Sequence, residues 1–473
     1  MAFRSVPAPL ACAGKGCIVT TVRADGKAGD DMERLPDLNR RAFLVRSGLM
    51  LGAGLLSGAL PSLSRAAVAV PPAKFSDWSA VRKQFLLSRD FIHMTGFLLA
   101  SHPAPVRAAI ERHRRGLDEN PAHYWFDNEE KCEAEVLRAA AAYMGVNPTD
   151  IALTDSTTMG LGLLYGGVAL GEGQEILTTT HDHYSTQVSL QHRAERTGAS
   201  VRTIPLYRDL KTVSKQEIVE TLIRNIGPQT RYVAVTWVHS STGLKLPIRE
   251  IADALAKVNK SREEADRAIF CVDGVHGFGA EDATMDGLGC DFFIAGCHKW
   301  MLGPRGTGLV WGKPGAWPLA QATIPTFNME AYRIWMKDIP PQDVPKSAIM
   351  TPGGFHSFEH RWALSEAFRF HLAIGKARIA ERIHALNRQL KEGMARMKHV
   401  TVHTPLAEDL SAGIVCFEID GVKPAQAVAR LRERKIIASE TPYAVKYVRL
   451  APSLLTSPED VEKTLQAVKT LTS

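Results

Sequence analysis

Three polar side chains follow two strand-like runs, where they can act on a shared ligand. Asp273 ends the run A-I-F-C-V-D, and His276 follows it by three residues. Lys299 comes 26 residues after the aspartate, just beyond the run F-F-I-A-G. Ligands of open parallel sheets bind beyond the carboxyl ends of the strands. We therefore expect all three side chains in one cleft.

The aspartate and the lysine together suit one cofactor. A carboxylate in a low-dielectric cleft can keep a ring nitrogen protonated, and a protonated pyridine ring is the electron sink of pyridoxal phosphate. A lysine among apolar neighbours loses solvation, and its neutral amine can condense with an aldehyde. Taken singly, Asp273 is equally typical of a helix cap and Lys299 of a surface lysine. Their shared sheet edge favours the cofactor site.

A phosphate group needs a pocket rich in hydrogen-bond donors, and one candidate follows the strand-like run D-I-A-L-T. The residues S-T-T-M-G-L-G place Thr157 and Thr158 at the start of a predicted helix. Hydroxyl groups and the backbone N–H groups of a first helical turn favour a dianion. Without a ligand, the same residues are a good helix cap.

The next strand-like run is followed by T-H-D-H-Y, with His181 and His183 two residues apart. A pair of this kind can bind zinc, so a metallohydrolase is the competing enzyme class. No further local histidine or carboxylate spacing completes a ligand set, and zinc would leave Lys299 and the threonine pair without a role. We therefore predict no metal and an imidazole stacked on the cofactor ring.

The elements that carry these residues alternate between strand and helix. Buried strands are predicted at D-I-A-L-T, E-I-L-T-T-T, V-R-T-I-P-L, Y-V-A-V-T-W-V, A-I-F-C-V-D, F-F-I-A-G and T-G-L-V-W-G. Helices are predicted between them at 158–170, 184–197, 214–226 and 247–259. Such alternation indicates an α/β fold with a mostly parallel seven-stranded sheet.

The pattern changes after about residue 320. Long helices over 361–398, short strands near V-T-V-H-T, G-I-V-C-F-E-I and Y-V-R-L-A, and a closing helix from Ser457 indicate a smaller α+β domain. We predict a large cofactor-binding domain over 131–320, a C-terminal domain over 321–473, and an N-terminal segment over 70–130 that packs on the smaller domain.

Charge and cysteine content narrow the function. The chain carries 57 Lys and Arg against 50 Asp and Glu, but residues 1–69 hold nine of the bases and five of the acids. The remaining bases are mixed with acids along helices, which argues against nucleic-acid binding. Seven scattered cysteines without C-x-x-C spacing do not indicate a disulfide framework.

Residues 1–69 are predicted to direct export. Asn39 to Leu44 read N-R-R-A-F-L, an uncharged stretch follows from Ser47 to Ser64, and small residues end the segment at Ala67 and Ala69. This order is typical of a twin-arginine signal peptide, which implies the translocation machinery as a partner and a periplasmic location. Pro61 and the small residues argue against a permanent membrane span. Met32 is a possible true start.

Together the motifs resemble the class V aminotransferase family, the cysteine desulfurase and isopenicillin N epimerase group of fold-type I pyridoxal-phosphate enzymes. The resemblance covers about residues 75–472, and its most specific parts are D-G-V-H at 273–276 and H-K at 298–299, followed by G-P-R-G-T-G. It implies a homodimer whose subunits both contribute to the phosphate site, with His356 to Phe358 as the contributing region. With its predicted export signal, the chain also resembles the periplasmic enzymes that tailor siderophore side chains, as in pyoverdine maturation.

The resemblance implies a role for each site residue. Lys299 carries the cofactor, Asp273 pairs with its ring nitrogen and His183 stacks on its ring. The phosphate is bound by Thr157, Thr158 and His298, the phenolic oxygen lies near Ser240 and His276, and the α-carboxylate of the substrate binds Arg449 in Y-V-R-L-A-P-S. A guanidinium fork matches a carboxylate in shape and charge.

Two departures from the family pattern refine the expected activity. Cysteine desulfurases carry a nucleophilic cysteine shortly before the carboxylate-binding arginine, but here the stretch is A-S-E-T-P-Y-A-V-K-Y-V-R. The missing cysteine argues against persulfide-forming desulfuration. Gly296 replaces a hydroxyl residue that many relatives use for phosphate, so another donor must serve. We expect chemistry at the α-amino carbon of an amino acid or peptide metabolite, by epimerisation or transamination, with a β-eliminating C-S lyase as the alternative.

Overall fold

The computed structural model describes residues 75, 77–340 and 342–471. The predicted signal peptide, its cleavage position and the possible start at Met32 lie outside these residues. The described residues fall in one unit, Val68–Ser473. Within them, no helix is long and apolar enough to cross a membrane.

A seven-stranded sheet forms the centre of the fold, as the sequence predicts. Its strand order is β2-β8-β7-β6-β5-β3-β4, and every neighbouring pair is parallel except the two that involve β8. Most of these strands are buried on both faces, which accounts for their continuous apolar runs. The strands are β2 Ile151–Thr154, β3 Glu175–Thr179, β4 Ser200–Ile204, β5 Thr230–Thr236, β6 Ile269–Asp273, β7 Phe292–Gly296 and β8 Gly308–Gly312.

Helices lie between and around these strands. Four of them follow the predicted positions closely: Thr157–Gly167, Tyr184–Thr197, Lys215–Arg224 and Ile248–Asn259. The other helices before residue 358 are Trp78–Arg82, Ala104–Glu119, Pro121–Met144, Met285–Leu288, Met329–Trp335 and Lys346–Met350. The helix Pro121–Met144 runs across residue 130, where the sequence analysis places the end of the N-terminal segment.

A second sheet lies in the C-terminal region, with strand order β12-β13-β10-β9 and all neighbours antiparallel. Its strands are β9 Val400–Val402, β10 Val415–Ile419, β12 Ser439–Glu440 and β13 Val448–Leu450. The N-terminal segment joins this region because β1 Ile92–His93 pairs in parallel with β11 Ile436–Ile437. The surrounding helices are Phe358–Ile374, Lys376–Ala395, Pro424–Glu433 and Pro458–Lys469.

The predicted helical region over 361–398 is divided at Gly375. This glycine has φ +99°, a conformation that side chains with a Cβ rarely adopt, so the helix Phe358–Ile374 ends there and Lys376–Ala395 begins. The closing helix begins just after Ser457, where it was predicted, and the Ser457 side chain caps it by accepting a hydrogen bond from the backbone N–H of Asp460.

Candidate active site

A cavity of about 170 Å³ lies at the carboxyl edge of the seven-stranded sheet. The strands β2, β3, β5, β6 and β7 all run towards this edge, so the loops that follow them meet there. The cavity brings together every residue for which the sequence predicts a site role: Thr157, Thr158, His183, Ser240, Asp273, His276, His298, Lys299 and Arg449.

Lys299 and Asp273 form the charged centre of the cavity. Burial lowers the pKa of the Lys299 amine to about 8, although Asp273 acts in the opposite direction. Burial raises the pKa of the Asp273 carboxyl to about 6, and the hydrogen bond that it accepts from the backbone N–H of Val275 opposes this rise. A partly neutral amine and a carboxylate that needs a cation are thus held in the same buried space.

His276 is the closest polar neighbour of the lysine. Its Nε2 lies 3.5 Å from the Lys299 Nζ, and its side chain is 5 % exposed. Burial and the nearby lysine lower the pKa of His276 well below its ordinary value, so the ring is neutral. A neutral imidazole can accept a hydrogen bond from the amine, or donate one to an oxygen, without adding positive charge.

The threonine pair begins the helix Thr157–Gly167 next to the end of β7. Ser156 caps this helix by accepting a hydrogen bond from Met159 N, and the Thr158 and Ser185 hydroxyls lie 3.1 Å apart. The Thr157 Oγ1 accepts a hydrogen bond of 2.8 Å from Gly296 N. These hydroxyls and the first-turn N–H groups form a donor-rich end of the cavity, which suits a phosphate.

The glycine at position 296 has a steric explanation. A Cβ atom there would lie 2.8 Å from the Thr157 Oγ1 and 3.1 Å from the His298 Cε1. The hydroxyl that many relatives carry at this position would therefore displace Thr157. In this chain Thr157 occupies the space instead, and we infer that it supplies the missing hydroxyl.

His183 is fixed as a neutral ring by the helix that follows it. Its Nδ1 accepts a hydrogen bond of 3.2 Å from Ser185 N at the start of the helix Tyr184–Thr197, which leaves Nε2 to carry the proton. The intervening Asp182 is buried and accepts hydrogen bonds from Thr178 and from the backbone and side chain of Thr179. The sequence analysis did not recognise that this aspartate holds the turn in place.

His181 also lines the cavity, but it belongs to a stack of rings. It lies 4.5 Å from the Tyr207 ring and 5.2 Å from the His239 ring, and burial lowers its pKa to about 4. Within the described part of the chain, no three His, Cys, Asp or Glu side chains gather as metal ligands would. The metallohydrolase hypothesis thus lacks a donor set here.

Arg449 enters the cavity from β13 and is 3 % exposed. Its guanidinium donates to Ser240 O at 3.1 Å, to Glu440 O at 2.9 Å and to the Ser439 hydroxyl at 3.2 Å. It also lies 4.8 Å from the centre of the Phe97 ring. A guanidinium has five N–H donors, so these three bonds leave one donor on each terminal nitrogen. The two remaining donors match the two oxygens of a carboxylate.

The lining residues that the sequence analysis missed include three from distant segments. Phe97 and Leu98 come from the N-terminal segment, and Tyr443 comes from the loop that precedes β13. The Tyr443 hydroxyl lies 2.7 Å from the Ser240 hydroxyl. For Tyr443, the one hint in the sequence was the turn-like T-P-Y in the stretch where desulfurases carry their cysteine.

The five cysteines among the described residues are buried, and none lines the cavity. In the predicted cross-subunit region, His356 is half-buried and its Nε2 lies 3.9 Å from a Glu133 oxygen. Its role towards a second subunit stays a prediction.

With this geometry in place, similarity to known proteins decides the family. A model of the aminotransferase class-V family matches residues 126–441. This chain belongs to the class-V aminotransferase family. It is 26 % identical over 418 residues to an isopenicillin N epimerase of Streptomyces clavuligerus, covering 84 % of this chain and 99 % of that protein. It is 29 % identical to a probable cysteine desulfurase of Halalkalibacterium halodurans, over 58 % of this chain and 63 % of that protein.

Solved structures confirm the predicted fold class, fold-type I of the pyridoxal-phosphate enzymes. A C-DES variant with glycine covalently linked to its pyridoxal-phosphate cofactor has a TM-score of 0.74, with 21 % identity over 83 % of this chain and 99 % of that one. The cystine C-S lyase C-DES in complex with cysteine persulfide has a TM-score of 0.72, with 21 % identity over 81 % and 98 %. At this identity they show the fold alone.

The class-V enzyme described here is pyridoxal-phosphate dependent, and its cavity fits that cofactor. The donor set is the decisive observation: a buried amine, a buried carboxylate and a hydroxyl-rich helix start line one space. Lys299 would hold the aldehyde carbon, Asp273 the ring nitrogen and the Thr157 end the phosphate. When bound, the cofactor supplies an electron sink for the α-carbon of an amine.

Proposed function

We propose that this enzyme moves a proton at the α-carbon of an amino acid, or of an amino-acid group in a peptide metabolite, and so epimerises or transaminates it. One observation carries the proposal: the buried Arg449 lines the cavity, and its three hydrogen bonds leave one N–H donor on each terminal nitrogen. Among the described residues, no carboxylate is one of the groups that shift its pKa. A free α-carboxylate is the ligand that this arrangement fits.

Three residues have different roles in the proposed reaction: Arg449, Lys299 and His276. Arg449 orients the substrate through its carboxylate, which brings the amino end towards Lys299. Because the pKa of Lys299 is lowered to about 8, a useful fraction of its amine is neutral near physiological pH and can accept the α-proton. The neutral His276 at 3.5 Å can accept a hydrogen bond from that amine and so orient it.

The similarity to isopenicillin N epimerase supports this choice of reaction, because it extends over 99 % of that protein. The most direct experiment incubates the purified enzyme with amino acids in D₂O and follows the α-hydrogen by NMR. We expect exchange of the α-hydrogen with a change of configuration or with formation of the oxo acid. Substrates that remain fully protonated at the α-carbon would contradict the proposal.

A C-S lyase is the second candidate, supported by the similarity to probable cysteine desulfurases. None of the five described cysteines lines the cavity, which argues against a protein-bound persulfide but leaves β-elimination open. Incubation with L-cystine distinguishes the two: elimination releases pyruvate and a persulfide, whereas proton transfer at the α-carbon leaves the sulfur bonds intact.

We further propose that the enzyme is a homodimer that is exported, already folded, to the periplasm by the twin-arginine route. The N-R-R-A-F-L segment and the uncharged stretch after it support export, and the similarity to siderophore-tailoring enzymes suggests an exported metabolite as substrate. Replacing Arg40 and Arg41 by lysine should retain the protein in the cytoplasm, as cell fractionation would detect. Light scattering tests the dimer, and a metabolite comparison between wild type and deletion strain tests the substrate.

A further inference from the structure

The loop between β12 and β13 turns a phenol into the cavity. Thr441 closes this loop, because its backbone N–H donates to Tyr447 O at 2.9 Å and its hydroxyl accepts from Tyr447 N at 2.9 Å. The loop tip is open to solvent, with Val445 62 % exposed. Two residues of the loop, Pro442 and Tyr443, line the cavity. Of these two, only Tyr443 can carry a proton.

The contacts of Tyr443 place it beside the carboxylate-binding group. Its hydroxyl lies 2.7 Å from the Ser240 hydroxyl, and the Ser240 carbonyl accepts a hydrogen bond from Arg449. Its ring meets the His183 ring edge-on, with the ring centres 6.3 Å apart. The phenol therefore lies in the same wall of the cavity as Ser240 and the Arg449 guanidinium.

Lys299 reaches the same cavity from the other sheet. It follows β7 of the seven-stranded sheet, and its amine faces His276 at 3.5 Å. Tyr443 precedes β13 of the four-stranded sheet and faces His183. Two groups able to carry a proton thus enter from different walls and have different neighbours.

We propose that Tyr443 is a second proton carrier, acting on the side of the α-carbon opposite Lys299, and that the enzyme therefore inverts the configuration of its substrate. This inference rests on the proposed α-carbon chemistry and chooses epimerisation within it. The Lys299 amine takes the α-proton as the C–H bond breaks. The phenol O–H bond then breaks, and its proton forms the new C–H bond on the other side.

The protons balance after one turnover. The substrate has lost one proton and gained one, while Lys299 is protonated and Tyr443 is a phenolate. The phenolate is stabilised by the neighbouring Ser240 hydroxyl and the Arg449 charge. The exposed loop gives solvent a path to return a proton to Tyr443, and solvent takes the proton from Lys299 once the product has left the cavity. Reaction in the reverse direction uses the same two groups with their roles exchanged.

The protonation state of Tyr443 agrees with this role. Partial burial raises its pKa above the ordinary value, while the Ser240 hydrogen bond and Arg449 act in the opposite direction. The phenol therefore keeps its proton at neutral pH and is available as an acid.

Tyr443→Phe tests the inference, with Tyr447→Phe as the matched control. Tyr447 lies four residues away, and its ring stacks on His403 at 4.0 Å. The L and D forms of the chiral protein amino acids serve as probes in D₂O. NMR measures α-deuteration, and chiral chromatography measures inversion. We expect Tyr443→Phe to lose inversion by about 100-fold or more while α-deuteration with retained configuration continues, and Tyr447→Phe to behave as wild type.

The outcomes separate the inference from the function on which it rests. Wild-type exchange without inversion, or inversion by Tyr443→Phe at the wild-type rate, would overturn the role of Tyr443 and leave α-carbon chemistry standing. A higher KM with an unchanged ratio of inversion to exchange would also overturn it, because Tyr443 would then only bind substrate. Absence of exchange by the wild type with every probe would overturn the proposed function itself.

A second readout does not depend on turnover. The chain has nine tyrosines, and ¹³C labelling of their Cζ atoms gives a resonance for Tyr443 that is missing from the Tyr443→Phe spectrum. In the holoenzyme, Ser240→Ala should raise the pKa of this phenol, because a hydrogen bond that favours the phenolate is lost. An unchanged pKa would overturn the proposed coupling of the two hydroxyls.

Discussion

Replacing Arg449 by alanine removes the two guanidinium donors that we propose bind the substrate's α-carboxylate. A hydrogen bond to a charged group contributes about 1.5–3 kcal/mol, so two of them amount to about 3–6 kcal/mol. Since each 1.4 kcal/mol changes an equilibrium about tenfold, kcat/KM should fall by about 10²- to 10⁴-fold. The substitution also removes the hydrogen bonds to Ser240, Ser439 and Glu440.

The assay must therefore separate lost binding from a disturbed loop. Calorimetry of an amino acid and of the matched amine without the carboxylate provides this separation. Wild type should prefer the amino acid strongly, and Arg449→Ala should bind the two alike, with amine binding nearly unchanged. Arg231→Ala is the matched control, because Arg231 lies at the start of β5, is also buried and donates a hydrogen bond to Arg267 O. This variant should keep the preference for the amino acid. An Arg449→Ala protein that still prefers the amino acid would refute the proposed anchor.

Three further perturbations follow from the same geometry. Lys299→Met should abolish turnover and stabilise the cofactor-free protein at pH 7. The pKa of Lys299 is about 8 in the folded protein and 10.5 ordinarily. Between these two values the folded wild type binds fewer protons than the unfolded chain, so the wild type gains stability as pH rises through this range. Urea unfolding should show the advantage of the variant shrinking from about pH 8 upward, and a constant difference would contradict the assigned shift. Asp273→Asn should lower kcat strongly, because an amide cannot keep the ring nitrogen of the cofactor protonated; near-normal kcat in steady-state assays would remove Asp273 from the mechanism. Dialysis against a metal chelator should leave activity unchanged, and a loss that zinc restores would favour the metallohydrolase hypothesis.

The residues at strand ends were the most predictable part of the site. Asp273 ends β6, the helix with Thr157 begins just after β2, and Lys299 follows β7 by three residues. Parallel strands in one sheet leave these positions at one edge, so apolar runs and their polar successors were enough to group them. The run F-F-I-A-G coincides with β7. All five residues of this strand are buried, so the apolar run in the sequence begins and ends where the strand does.

The parts contributed by distant segments were less predictable. Phe97 and Tyr443 lie on irregular loops that reach the cavity only through the pairing of β1 with β11 and of β12 with β13. Such short pairings leave no periodic pattern in the sequence. The spare donors of Arg449 could likewise not be foreseen, because they depend on which acceptors bind the other three: two carbonyl oxygens and the Ser439 hydroxyl. The family resemblance identified Arg449, and the structure showed which of its N–H donors are already hydrogen-bonded.

The central claim is that Lys299 carries pyridoxal phosphate, and borohydride reduction followed by peptide mass mapping tests it most directly. Reduction fixes the cofactor to the amine that holds it, so the modified lysine can be read from the fragment masses. We predict a phosphopyridoxyl group on Lys299 in stoichiometric amount, and none at any position in Lys299→Met. A group on another lysine, or an active enzyme without a modified lysine, would contradict the account.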